Sequence, residues 1–140
     1  MSTIQIDIVS GEGAIYSGKA EWVAIPGVLG EMDVYPKHAP LLTALRPGAL
    51  RIKRVGADME VLFVSGGIAE VQPRTILILA DRAVRSQDFD EAQVLVAKRR
   101  AEEALKNHGS RKAHAKAEAA LAEALAQLDT IRRHRPTARK

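Results

Sequence analysis

The first 85 positions alternate or run apolar in short stretches, and the last 50 repeat at a helical period. Ile4, Ile6 and Ile8 are separated by Gln5 and Asp7, the period of two that marks a half-buried strand. Further strand-like segments follow at Ala14–Ser17, Glu21–Ile25, Glu31–Tyr35, Ala49–Val55, Glu60–Ser65, Ile68–Val71 and Thr75–Ala80. Between them stand Gly11-Glu12-Gly13, Pro26-Gly27, Pro47-Gly48, Gly56-Ala57-Asp58, Gly66-Gly67 and Pro73, residues that favour turns. No helical period occurs before Asp88, so these segments predict an all-β unit, a sandwich or a barrel.

From Asp88 the period changes. Asp88 with Glu91 three residues on has the form of a capping box and predicts a helix start there. Val94, Ala97, Ala101 and Ala104 then mark one face of a helix that Asn107-His108-Gly109 ends. Ser110 is placed to cap a second helix, in which Ala113, Ala117, Ala120 and Ala124 form a stripe beside Leu121, Leu125, Leu128 and Ile131, with Pro136 closing the pattern. Two antiparallel helices on a short loop satisfy this spacing. Alanine seams bury little area, so the pattern predicts a hairpin of marginal stability, easily detached. The fold class is α+β, divided at residues 1–86 and 87–140.

Composition narrows the chemistry. The 140 residues hold no cysteine, which excludes disulfides, thiolate metal sites and a cysteine nucleophile. The longest apolar run, Ile76 to Ala80, is five residues, where a membrane helix needs about 20. The opening Met1-Ser2-Thr3 leads directly into the strand pattern, so no leader is expected and the chain reads as cytoplasmic. Charge is unevenly placed: residues 1–97 carry a net −3 and residues 98–140 a net +7. The basic clusters Lys98-Arg99-Arg100, Arg111-Lys112 and Arg132-Arg133-His134-Arg135 therefore point to an acidic partner, with nucleic acid one alternative.

No catalytic constellation emerges. Gly11, Gly13 and Gly18 have the wrong spacing for a dinucleotide loop, and no helix follows them. His38, His108, His114 and His134 are too scattered for a metal set, and Ser65 before Gly66-Gly67 reads as a strand-end turn.

Two longer stretches are distinctive: Tyr35-Pro36-Lys37-His38-Ala39-Pro40-Leu41-Leu42-Thr43-Ala44-Leu45-Arg46-Pro47-Gly48, and Ser65-Gly66-Gly67-Ile68-Ala69-Glu70-Val71-Gln72-Pro73 followed by Leu79-Ala80-Asp81. Together they resemble the epsilon subunits of bacterial F-type ATP synthases, the equivalents of the mitochondrial delta subunit. The resemblance implies a β-sandwich of about ten strands and two C-terminal helices, in a non-catalytic subunit of the central rotor. It implies that the sandwich meets the gamma subunit and the c-ring, with Glu31, Tyr35 and His38 at that contact.

It further implies that the helical pair either lies compact on the sandwich or extends into the alpha/beta catalytic head and blocks ATP hydrolysis. Arg99, Arg100, Arg111, Lys112, Arg132 and Arg133 would then face an acidic loop of the head. Some members of the family bind ATP between the helices at an Ile/Leu-Asp-x-x-Arg-Ala pattern. Here the run is Phe89-Asp90-Glu91-Ala92-Gln93-Val94, which keeps Asp90 but has Gln93 in place of the arginine. With Arg99 and Arg100 about two turns away, ATP is expected to bind weakly or not at all, and no other cofactor is implied. The resemblance places the chain peripherally, on the cytoplasmic face of a bacterial inner membrane.

Overall fold

A computed structural model describes residues 2–107 and 109–134; His108, Arg135 and Pro136 lie outside the described residues. Nine strands precede two helices: β1 Ile4–Ser10, β2 Gly13–Gly27, β3 Gly30–Val34, β4 Leu41–Leu45, β5 Gly48–Arg54, β6 Glu60–Val64, β7 Gly67–Val71, β8 Thr75–Ala80, β9 Ala83–Arg85, α1 Glu91–Lys106 and α2 Arg111–His134. A single 3-10 turn, Ser86–Asp88, joins β9 to α1.

The strands fold into two layers that share β2. Its first half pairs antiparallel with β1 from Ser10↔Gly13 to Ile4↔Ala20, and its second half pairs with β3 on one side and β5 on the other. One layer continues from β1 through β8, β7 and β4, with β1 and β8 parallel; the other continues from β5 to β6 and β9. Inward residues of both layers meet in one core that includes Ile6, Ile8, Val23, Ile52, Leu62 and Ile78, all shielded from solvent. Alternation in β1 works as its sequence predicts, because Ile4, Ile6 and Ile8 all point inward.

Several sequence expectations are corrected. The segments 14–17 and 21–25 are one strand, since a register shift between Ala20 and Trp22 bends β2 without ending it. The merger leaves seven of the eight expected segments, and β4 and β9 bring the described strands to nine, in line with a sandwich of about ten. β4 and β9 carry too little periodic signal to be seen in the sequence. Asp88 ends the 3-10 turn instead of capping α1; Asp90 is the cap, its carboxylate accepting from the backbone N–H of Ala92 at 3.1 Å. Ser110 caps α2 as expected, accepting from Ala113 N at 3.0 Å.

The helices pack through a narrower seam than the alanine pattern implies. Val94 and Ala101 of α1 and Ala117, Ala124 and Leu128 of α2 are buried, whereas Ala97, Ala104, Ala113 and Ala120 are exposed. The pair lies against the outer face of β5 and β6 through α2. Val61 and Phe63 fill that junction from β6, and Phe89 meets Phe63 edge-on with ring centroids 6.0 Å apart. Arg82, between β8 and β9, reaches Glu123 of α2 in a hydrogen-bonded ion pair.

Candidate functional site

The two outer faces of the sandwich differ in what covers them. β6 reads Glu60-Val61-Leu62-Phe63-Val64 and is buried at every position, because its inward residues join the core and its outward ones lie under α2. β8 is equally apolar at Ile76–Ala80, and Ile76, Ile78 and Ala80 are buried, but its other face is open. Strand pairing sets Ala44, Ile68, Leu79 and Val9 in one row across β4, β7, β8 and β1. Ile68 is 45% exposed, Leu79 48% and the neighbouring Leu42 69%. Exposed branched aliphatics grouped on one sheet face are the kind of surface that contact with another protein would cover. Its signal in the sequence is the unbroken run Ile76–Ala80: a strand without alternation must put apolar side chains on both faces.

Glu31, Tyr35 and His38 do not gather at one point. Glu31 lies near the start of β3 and Tyr35 just past its end, about 13 Å apart along an extended chain. A line of contacts nevertheless joins them. The Tyr35 ring lies 6.3 Å from Trp22, the Arg51 guanidinium sits over Trp22 at 5.8 Å, and Arg51 Nη2 donates to Glu31 Oε2 at 3.2 Å. Neither Trp22 nor Arg51 belongs to a sequence motif, yet Trp22 packs against Tyr35 and Arg51 holds Glu31. His38 is held locally: its backbone N–H donates to Tyr35 O at 3.2 Å, and its Nδ1 lies 2.7 Å from Ala39 O. Beside Glu31, the β2–β3 turn presents Leu29 almost wholly to solvent.

The six basic residues are spread along the hairpin. Arg99 and Arg100 stand exposed on α1, and Arg111 and Lys112 open α2, where positive charge opposes the helix dipole. Arg132 and Arg133 close α2, about 33 Å from Arg111. Arg133 is tied down. Its Nε donates to Asp129 Oδ2 at 2.8 Å, and that hydrogen bond, with Glu31 adding to it, raises the arginine further above its ordinary value. Arg133, Asp129, Glu31 and Arg46 line a small cleft of about 90 Å³ where α2 meets the sandwich. Thus Glu31, expected at a rotor contact, and Arg133, expected at the catalytic head, are neighbours in the compact arrangement.

Asp90 and Gln93 line a cleft of about 400 Å³ between the linker and the helices, together with Arg82, Asp88, Phe89 and Gln127. Arg99 and Arg100 do not enter it. Arg100 borders a separate hollow with Gln93 and Val96, and Arg99 another with Leu95 and Lys98. Two carboxylates and one arginine already paired to Glu123 make a poor cradle for a triphosphate. Among the described residues no group of three or more histidine and acidic side chains is placed to hold a metal ion.

Comparison with known proteins agrees with this architecture. Residues 3–86 match the β-sandwich domain of the ATP synthase delta/epsilon chain, and residues 87–132 match its long α-helix domain. The chain is 52% identical over 136 residues to the ATP synthase epsilon chain of Nitrosomonas eutropha, covering 96% of this chain and 97% of that one. It is 48% identical to the one from Alkalilimnicola ehrlichii over the full length of both. Two solved assemblies share the fold. A chain of the Euglena gracilis mitochondrial ATP synthase (OSCP/F1/c-ring) superposes with a TM-score of 0.83 at 21% identity, over 92% of this chain and 81% of that one. A chain from the Tetrahymena thermophila ATP synthase central stalk and c-ring gives 0.62 at 14%, over 91% and 96%.

Proposed function

This chain belongs to the ATP synthase delta/epsilon family and is a non-catalytic epsilon subunit of the F-type enzyme; from that premise we propose how its two faces divide the work. Residues 1–86 dock on the rotor, and residues 87–140 act as a detachable brake on ATP hydrolysis. The observation that carries this reading is the contrast between β6 and β8. Both strands are apolar on both faces, one covered by the chain's own helices and the other open. The open row through Ile68 and Leu79 takes the gamma subunit. The β3 edge, with Glu31, Tyr35 and His38, meets the c-ring or gamma. The closed face is where the hairpin rests when it is not braking.

In the braking state the hairpin leaves β5 and β6, and its cations meet an acidic surface of the alpha/beta head. The placement of Arg111 and Lys112 favours this reading. They weaken the first turn of α2 and form no ion pair among the described residues, so their charge is free for a partner. Glu31 and Arg133 separate when α2 leaves, which makes the rotor-facing carboxylate sensitive to the position of the brake. Nucleic-acid binding finds no support, because both family matches, together covering residues 3–132, are to ATP synthase domains. The subunit is a peripheral part of a membrane-bound complex, and no described helix is long and apolar enough to cross a membrane. We place it on the cytoplasmic face.

Binding of the full chain to an isolated gamma subunit tests the docking face. Ile68→Glu and Leu79→Glu each abolish detectable binding with the melting temperature held within a few degrees, since both side chains are about half exposed. Retained binding by both variants overturns the assignment of that face.

A further inference from the structure

Three cations converge on a notch that neither the docking face nor the brake uses. Lys19, Lys37 and Arg74 line a hollow of about 300 Å³ together with Ser2, Thr3 and Gln5. The backbone fixes their approach. Lys37 N donates to Pro73 O at 2.7 Å, which sets Lys37 beside Arg74; Gln5 N donates to Arg74 O at 2.9 Å; and Gln5 stands opposite Lys19 in the β1–β2 ladder. The cations are therefore held on adjoining segments of three separate parts of the chain.

No carboxylate lines the notch, and none of the three cations has an ion-pair partner among the described residues. The nearest acid in the β1 sequence, Asp7, is engaged by the Ser17 hydroxyl at 2.6 Å and by the Gln5 amide at 3.3 Å. Lys37 also has φ +72, the one positive value at a non-glycine among the described residues. A lysine in the left-handed region is strained where glycine would not be, and such strain collects at binding sites. Like charges brought together without an acid oppose folding, so the cluster contributes nothing to stability by itself.

We infer that this notch binds a phosphate group. A phosphate carries one negative charge as a headgroup diester and about 1.5 to 2 as a monoester or free anion, and it presents several acceptor oxygens. That suits an arginine fork, two lysine point charges and the hydroxyls of Ser2 and Thr3 better than a single carboxylate does. The phosphate comes either from a free phosphoanion or from an anionic lipid headgroup. The site stands independently of the rotor and brake assignments, because it uses none of their residues except the loop that also carries His38.

Inorganic phosphate titrated into the full chain, followed by amide NMR shifts, tests the site. Saturable shifts are expected at residues 2–5, 19, 37 and 73–75. Lys37→Gln and Arg74→Gln should each weaken binding roughly tenfold. Melting temperature should hold or rise, because each variant removes like-charge repulsion. Vesicles of phosphatidylcholine with and without phosphatidylglycerol separate the sources. If Lys37→Gln/Arg74→Gln lowers binding to the anionic vesicles and Arg99→Gln/Arg100→Gln does not, the headgroup is the source; if only free phosphate responds to the notch variants, it is the soluble anion. Shifts confined to the hairpin cations, or phosphate binding unchanged in the double notch variant, overturn the inference.

Discussion

Phe63 of β6 and Phe89 of the linker, the only phenylalanines of the chain, meet edge to face at 68° where the sandwich gives way to the helices. Phe63 is shielded from solvent yet is not part of the core between the two layers. Its ring belongs to the junction beneath α2. The hairpin thus rests on an aromatic contact, supplemented by polar ties at Arg82–Glu123 and around Arg133.

That location makes Phe63→Ala selective. The substitution should cost about 3 kcal/mol, the lower end for a buried aromatic, and the loss should fall on the junction. Hydrogen exchange then speeds up at amides 124–131 of α2, while β1 and β8 keep their protection. Equal acceleration in all three elements would mean that Phe63 supports the core instead.

The Arg82–Glu123 pair should matter less. Its side chains are 54% and 37% exposed, so solvent screens much of the attraction. A double-mutant cycle with Arg82→Gln and Glu123→Gln should give a coupling below about 1 kcal/mol that vanishes in molar salt. A coupling of several kcal/mol that persists in salt contradicts this picture.

Glu60 behaves differently because it is buried. Its carboxylate accepts from Arg85 Nε at 2.8 Å, with Arg54 Nη1 3.9 Å away. Glu60→Gln should destabilise the sandwich by about 2 kcal/mol, less than for a fully buried pair because both arginines reach solvent. Chemical denaturation measures this, and a neutral result removes Glu60 from the structural network.

Tyr16, under the Arg85 guanidinium at 5.7 Å, gives a pH-dependent counterpart. Burial pushes its phenol above the ordinary value of 10.0, against the opposing pull of Arg54 and Arg85. The folded state therefore holds the proton more tightly than the unfolded chain. Its contribution is complete below pH 10 and is lost as pH rises through the folded value. Tyr16→Phe should flatten the fall in stability above pH 10, and an unchanged slope refutes the linkage.

Gly67 cannot be replaced. It has φ +130, and a Cβ there would lie 2.1 Å from Leu79 O, a backbone atom of the neighbouring strand. Gly67→Ala should destabilise by at least about 3 kcal/mol, combining a disallowed backbone with a clash that no rotamer relieves. Near-wild-type melting of that variant would show that β7 and β8 shift apart at little cost.

Much of this was legible in the sequence, for identifiable reasons. β1 has one covered face, filled by Ile4, Ile6 and Ile8, and one more open face, so its alternation reports burial directly. β2 was split because its bend at Glu21 interrupts the pattern without ending the strand. The helix start was misplaced because Asp88 and Asp90 both offer a cap, and only the 3-10 turn decides between them. The alanine stripe overstated the seam, since alanine is tolerated on any helix face. At the candidate sites, the family resemblance points to Glu31, Tyr35 and His38 but not to Trp22, which meets Tyr35, or Arg51, which bonds Glu31, because both lie on other strands. The open row through Ala44, Ile68 and Leu79, with Leu42 beside it, is assembled from separate segments, and only the pairing of β4, β7 and β8 reveals it.

The most direct test of the division of labour is ATP hydrolysis by an F-type catalytic head from which the epsilon subunit has been removed. The full chain or a chain ending at Gln87 is added back, the latter retaining every residue of the sandwich core. Both should bind, and only the full chain should slow hydrolysis. Inhibition of equal strength by the shortened chain would contradict that division, as would binding by neither.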